Sequence, residues 1–329
     1  MAIGISPLIH IEIVVNDAEG AYQFLHKALG AEKVQEEFAG FLDGEFSRVI
    51  HVGLGDVVLQ FIQPLVEEGS WYEQLKKKGP GVHNLTFVVD DMKETVNTLE
   101  KEGVSPLFSF PLDWGQLVGQ ENVKPDAQPV YMMDTMDKIG FHLELSESPF
   151  KEPPEAPPQQ YATGVEYLIG NVSPMLHIEL TVRDAEETYQ LLQKVFGSEK
   201  VEEEFANFLD SPFMHIIHVN LGNVVLQYCQ PLQEQGSWYE QLRDKGPGVH
   251  NITFVVENME ETMKAIEAAG AQDLFAFPLD WAQLVDPKKL KPNLPPVHMV
   301  NTMEKIGFHL EIGERPSHEE LDFLYIDYK

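Results

Sequence analysis

Cysteine is almost missing. Cys229 is the single one in 329 residues, so no disulfide forms within the chain. On an apolar strand it reads as a small buried hydrophobe rather than a nucleophile. Basic charge is scarce too: Lys and Arg total 23 against 53 Asp and Glu, a formal net charge of −30. Such a surface repels nucleic acid and anionic lipid and keeps a chain in solution. It also disfavours a polyanionic ligand unless a local basic patch receives it. Nothing approaches the roughly 20 apolar residues that span a bilayer, and no basic-then-apolar leader opens the chain. These absences set an expectation: a soluble, cytoplasmic protein with a small-molecule ligand and no nucleic-acid or membrane partner.

What remains is an ordinary globular composition, 43% hydrophobic and 23% charged, at a length suited to two domains. One internal offset dominates. Shifted by 167 residues, Ser6–Pro149 matches Ser173–Pro316 without a gap, with 87 of 144 positions identical. A repeat this long is a duplicated domain, not a solenoid unit. The expected domains are residues 1–149 and 171–329. The linker, 150–170, holds Lys151-Glu152-Pro153-Pro154-Glu155-Ala156-Pro157-Pro158, an extended spacer.

Both copies are organised around one segment. It is Gly79-Pro80-Gly81-Val82-His83-Asn84-Leu85-Thr86-Phe87-Val88-Val89, repeated as Gly246-Pro247-Gly248-Val249-His250-Asn251-Ile252-Thr253-Phe254-Val255-Val256. The glycines and proline break a preceding helix, and a polar pair then opens a buried strand. Before it, Leu8–Val15 alternates as a strand. Asp17 caps a helix to Leu29, with Ala18, Ala21, Tyr22, Leu25, Ala28 and Leu29 as its apolar stripe and Gly30 as its end. Strands follow at Lys33–Leu42, Phe46–Leu54 and Val57–Ile62. After it come a helix Met92–Glu102 and strands Leu107–Phe110, Val130–Met133 and Phe141–Leu145. Each copy therefore holds two β-α-β-β-β modules, and the chain is of the α+β class with four. Trp114–Ala127 reads as a long irregular loop.

Period-two alternation sorts the polar residues onto faces. His10 shares a face with Glu12, Asn84 with Thr86, and His142 with Glu144, while Gln60 interrupts an apolar strand and His83 faces away from Asn84. Each of these groups would cost a few kcal/mol if buried without a partner. Taken singly, His10 is an ordinary core histidine and Gln60 a loop brace. Glu144 is harder to dismiss, because lone buried carboxylates are rare. Without a metal it would pair with His10 or His142.

Paired β-α-β-β-β modules with these positions resemble the vicinal oxygen chelate superfamily of glyoxalases, epimerases, extradiol dioxygenases and bleomycin-binding proteins. The closest local likeness is to methylmalonyl-CoA epimerase, through Val58-Leu59-Gln60-Phe61-Ile62, Gly81-Val82-His83-Asn84 and Phe141-His142-Leu143-Glu144-Leu145. The resemblance implies a divalent metal (Mn, Co, Ni, Fe or Zn) on His10, Gln60, Asn84 and Glu144. In the second copy the ligands are His177, Gln227, Asn251 and Glu311. Asn84 and Asn251 depart from the family, which has a histidine there; Asn suits harder ions. A bulge could bring His83 or His250 inward instead, or His142 and His309 could fill the vacancy.

The implied activity is isomerase, epimerase or lyase chemistry on a small oxygen-rich substrate, through a metal-stabilised enolate with Glu12 and Glu179 as bases. Trp71, Phe108, Phe110 and Trp114, with Trp238, Phe275, Phe277 and Trp281, are the expected aromatic substrate wall. Asp113 is a spare carboxylate, and Lys76, Lys77 and Lys78 form the best local basic patch. Two alternatives stand beside this: a metal-free protein binding an aromatic ligand, and an extradiol-type dioxygenase. The copies are expected to pack as an internal pseudo-dimer, which could itself form a homo-oligomer.

Overall fold

The computed structural model describes residues 3–34, 43–114, 120–150, 169–201, 211–283 and 286–317. Ile11 and Ile13, alternating with His10 and Glu12, make strand β1 (His10–Val14). Asp17 accepts a hydrogen bond from the Gly20 amide to cap helix α1 (Ala18–Leu29), and Gly30 closes it. The stripe differs from expectation at one position. Phe24 is buried, whereas Tyr22 sits at the half-buried margin with the Lys33 ammonium over its ring.

The copy continues as β2 (Glu32–Lys33), β3 (Ser47–Leu54), β4 (Val57–Pro64) and helix α2 (Gly69–Lys78). Its second module is β5 (Gly81–Val89), α3 (Met92–Lys101), β6 (Pro106–Phe110), β7 (Val130–Met133), a one-turn helix α4 (Met136–Ile139) and β8 (His142–Glu147). Of the strand expected over Lys33–Leu42, only β2 lies within the described residues, and most of the linker lies outside them. The Trp114–Ala127 loop carries a 3-10 turn at Gln120–Asn122.

The second copy runs β9 (His177–Thr181), α5 (Ala185–Phe196), β10 (Met214–Leu221), β11 (Val224–Pro231), α6 (Ser237–Asp244) and β12 (Gly248–Val256). It ends with α7 (Met259–Ala268), β13 (Gln272–Phe277), β14 (Val297–Asn301), α8 (Met303–Ile306) and β15 (His309–Glu314).

The strand order is β2-β3-β4-β1-β5-β8-β7-β6 in one sheet and β10-β11-β9-β12-β15-β14-β13 in the other. The two modules of a copy therefore join along an antiparallel seam, β1 with β5 and β9 with β12. Each copy closes its own sheet, with the Gly-Pro-Gly strand at the seam. Among the described residues no helix is long and apolar enough to cross a membrane.

The copies share one continuous core and dock reciprocally. Helix α1 packs on α7 and α8 of the other copy, and β5 lies beside β12. At the Gly55-Asp56 hairpin tip, Asp56 Oδ1 accepts the Met175 amide at 2.7 Å; at Gly222-Asn223, Asn223 Oδ1 accepts the Leu8 amide at 2.7 Å. Gly55 and Gly222 both hold φ +59°, and a Cβ there would lie 2.5 Å from Ser173 O and 2.3 Å from Ser6 O. Gly55→Ala or Gly222→Ala is thus expected to cost about 2–4 kcal/mol, combining left-handed strain with a backbone clash. Gly69, at φ +90° with nothing within 4 Å, is the control, at about 1 kcal/mol for Ala. Urea midpoints of the three variants measure the difference.

Candidate active site

Strand register builds the site. His51 on β3 stands opposite Gln60 on β4, Gln60 beside Glu12 on β1, Glu12 opposite Asn84 on β5, and Asn84 beside His142 on β8. Five adjacent strands thus contribute one polar row across the sheet. A second row runs His10–Thr86–Glu144–Met132–Phe108. The other copy repeats both, with His218–Gln227–Glu179–Asn251–His309 as its first row.

The seam holds a β-bulge. Glu12 pairs with Asn84 and the next residue, Ile13, with Val82, so His83 is the extra residue. The same irregularity makes His250 the extra residue between Val249 and Asn251. Alternation alone puts His83 on the face opposite Asn84. The bulge instead turns its ring toward the polar row, where Nδ1 lies 2.7 Å from Asn84 Oδ1 and 3.0 Å from Glu12 Oε1. Both neighbours are acceptors, so Nδ1 carries a proton. His250 Nε2 is buried with no partner among the described residues.

Glu12 is nearly dry, at 2% exposure. Besides His83, it accepts the Trp71 indole N–H at 2.6 Å. Trp238 and His250 hold Glu179 in the same way. Asn84 Nδ2 donates to Glu144 Oε2 at 3.1 Å and to Thr86 Oγ1 at 3.2 Å, and the Thr86 hydroxyl is 3.0 Å from His10 Nε2. Gln60 Nε2 donates to His51 Nε2 at 2.7 Å. Gln60 Oε1, like Gln227 Oε1, is buried with no partner among the described residues.

Burial dominates the electrostatics. It holds the His10 imidazole down to about 3, reinforced by His51, and the His51 imidazole to about 4. His142 falls to about 3, and His177, His218 and His309 to about 4, chiefly by the same desolvation. The carboxyls separate. Burial, with repulsion from Glu12, pushes Glu144 up to about 8, and burial with Glu179 does the same to Glu311. For Glu179 burial alone would also raise the carboxyl. The hydrogen bond and charge of His250, with the Trp238 N–H, outweigh it and hold the group below its ordinary value.

Among the described residues no three His, Cys, Asp or Glu side chains converge as a metal site. The donor set is mixed, and it fits a hard, oxygen-preferring divalent ion better than a thiophilic one. His10 is neutral, as a ligand must be. Gln60 Oε1 is an orphaned acceptor, and burial beside Glu12 keeps on Glu144 a proton that a bound cation would displace. The Thr86 hydroxyl can rotate away from His10 for about one neutral hydrogen bond, near 1 kcal/mol. Asn84 fits least: its oxygen is engaged by His83 and its nitrogen by Glu144, so it braces the site.

Most of the expected aromatic wall shares this face. Phe108 and Phe110 lie 6.2 Å apart in line with Met132 and Val130, and Trp71 overhangs Glu12. Trp238 stacks on His250 at 4.9 Å and contacts Phe275, which contacts Phe277. Trp281 covers Gly313, two residues beyond Glu311, with its edge 3.5 Å from where a Cβ would stand. Trp114 is half-buried, its indole nitrogen without a partner among the described residues. Asp113 stands apart from the two rows, exposed and 3.4 Å from Gln120. Cys229 is a buried thiol pushed well up by desolvation, in keeping with a core role.

Two members were not singled out in the sequence, His51 and its counterpart His218. The signal existed: a two-residue turn at Gly55-Asp56 pairs Leu54 with Val57, which sets His51 opposite Gln60.

A family model described as Glyoxalase/Bleomycin resistance protein/Dioxygenase superfamily matches the chain twice, over residues 9–112 and 176–277. The uncharacterized protein YqjC of Bacillus subtilis (strain 168) is 28% identical over 102 residues, 31% of this chain and 71% of that protein. A variant of 4-hydroxymandelate synthase from Streptomyces coelicolor superposes with a TM-score of 0.61 at 15% identity, covering 98% of this chain and 96% of that one. The Mn(II)-bound glyoxalase from Novosphingobium aromaticivorans gives 0.54 at 13% identity, covering 98% and 85%. At such identities the likeness is one of fold, and it extends over both copies. With two matched segments that together span well over half its length, the chain belongs to the glyoxalase/bleomycin resistance protein/dioxygenase superfamily and carries two of its domains in tandem.

Proposed function

We propose that each copy is a metal-assisted proton-transfer enzyme of the isomerase or epimerase type, acting on a small oxygen-rich substrate. The observation that carries this reading occurs twice in the chain. A buried carboxylate, Glu12 or Glu179, is fixed by an indole and an imidazole beside a His, a Gln and a second Glu. In each copy the Gln oxygen lacks a partner among the described residues. A divalent ion held by His10, Gln60 and Glu144, or by His177, Gln227 and Glu311, supplies Lewis-acid polarisation of a substrate carbonyl when bound. Glu12 takes the proton from the adjacent carbon. The Trp71 N–H and His83 Nδ1–H hold its carboxylate in one orientation, so little reorganisation accompanies the transfer. Asn84 fixes Glu144, and Thr86 orients His10. Trp71, Phe108 and Phe110 exclude water from the reacting face.

Elemental analysis of protein purified without chelator or affinity metal tests the ligand set. About two equivalents of one divalent metal are expected per chain, lost together in His10→Ala/His177→Ala. Deuterium wash-in from D2O over a panel of hydroxyketones, 2-oxo acids and thioesters tests the proton transfer. Absence of metal, with no thermal shift from manganese, iron, cobalt, nickel or zinc, would overturn the ligand set. One observation favours a second reading in that event. His10, Asn84 and Glu144 already have protein partners, so an aromatic ligand could lie against Trp71 or Trp238 without any metal.

A further inference from the structure

The two Gly-Pro-Gly turns meet. Between them lies a cavity of about 40 Å³, lined by equivalent residues from both copies: the turns themselves, Lys78 with Lys245, and Met136 with Met303. Each lysine reaches across the boundary. Lys245 Nζ lies 3.8 Å from where a Cβ on Gly79 would stand, and Lys78 Nζ lies 3.9 Å from the same point on Gly246, as does Arg183 Nη2. Gly79 and Gly246 hold φ +80° and +81°, so only glycine keeps the turns this close to the cations.

A chain of net charge −30 has plentiful carboxylates with which to neutralise these three groups. Among the described residues, none of the three is in an ion pair within 4 Å, although Asp134 and Asp137 are near enough for Lys78 to feel them. Lys76 and Lys77 contrast with Lys78 on the same helix: Lys76 lies over the Tyr72 ring and Lys77 pairs with Glu73 at 2.8 Å. Lys78 and Lys245 both line the cleft and Lys78 feels the charge of Arg183 as well, so an anion between the copies would meet positive charge from each side. The volume suits a single tetrahedral oxyanion, since on the same scale one water takes about 10–15 Å³.

We propose that this cleft binds one small oxyanion of the phosphate type, held by Lys78 and Lys245 with Arg183 beside the Gly246 turn, and that the anion ties the two copies together. Stoichiometry separates it from the cups, since a site between the copies takes one equivalent per chain whereas sites in the cups take two.

Equilibrium dialysis of the full chain with labelled inorganic phosphate tests this, alongside melting temperatures at ionic strength matched with sodium chloride. One saturable equivalent is expected. The melting temperature should rise by about 5 °C at a hundredfold excess over Kd. Both effects should vanish in Lys78→Gln/Lys245→Gln and persist in Lys76→Gln/Lys77→Gln, which removes the same charge nearby. Each single variant, Lys78→Gln or Lys245→Gln, should weaken binding at least tenfold, so the result does not hang on the stability of the double variant. Two equivalents, an equal shift from chloride, or undiminished binding in the Lys78 and Lys245 variants would each overturn the proposal.

Discussion

Glu12→Gln combined with Glu179→Gln slows deuterium wash-in by about 10²–10⁴-fold, the usual contribution of a positioned base. Metal content and melting temperature stay near those of the parent. Glutamine keeps the shape of the side chain, and its carbonyl oxygen still accepts the Trp71 N–H and the His83 Nδ1–H that now meet Glu12 Oε1. What it loses is the basicity. Each substitution made singly leaves the other cup turning over, because the polar rows of the two copies belong to different sheets. The loss should fall on kcat, with KM little changed, since the proposed ligands remain. Full exchange activity in the double variant would move the base elsewhere and leave Glu12 as an acceptor that orients Trp71.

The rows that bear this chemistry were partly legible. His10 with Glu12, and His142 with Glu144, follow from alternation on strands whose other residues are apolar. Gln60 stood out for the same reason. His83 entered only as an alternative that a bulge could bring inward, because a bulge is one extra residue in a hydrogen-bond ladder and leaves the period-two pattern of β5 unmarked. His51 was recoverable only by counting outward from the Gly55-Asp56 turn. The reciprocal capping of the hairpin tips, Asp56 on Met175 and Asn223 on Leu8, was beyond reach. A 167-residue offset announces duplication but carries nothing about how the copies dock. For that reason Lys78, part of a local basic patch in the sequence, became part of a cleft between copies.

Protein stripped of divalent ions should be most stable near pH 6.5 and lose stability steeply below it. His10 and His142 are held to about 3 in the fold, and His51, His177, His218 and His309 to about 4, against an ordinary 6.5. Below pH 6.5 the unfolded chain takes up protons at six imidazoles that the folded chain keeps neutral, so acid favours unfolding. Glu144 and Glu311 work the other way. Raised to about 8 from 4.5, they hold protons in the fold that the unfolded chain has released, and stability falls as pH rises through that window.

On the acid side six groups oppose two. A net uptake of four protons corresponds to about 5 kcal/mol per pH unit at most, comparable with the whole stability of a domain. On the alkaline side only the two carboxyls act, for about 3 kcal/mol per unit up to pH 8. Urea denaturation from pH 4 to 8.5 in chelator traces both limbs, and His51→Gln/His218→Gln should make the acid limb shallower. Manganese separates the functional readings. An ion that binds ionised Glu144 and Glu311 abolishes the alkaline limb, whereas a limb unchanged by saturating manganese would show that those carboxyls face no metal.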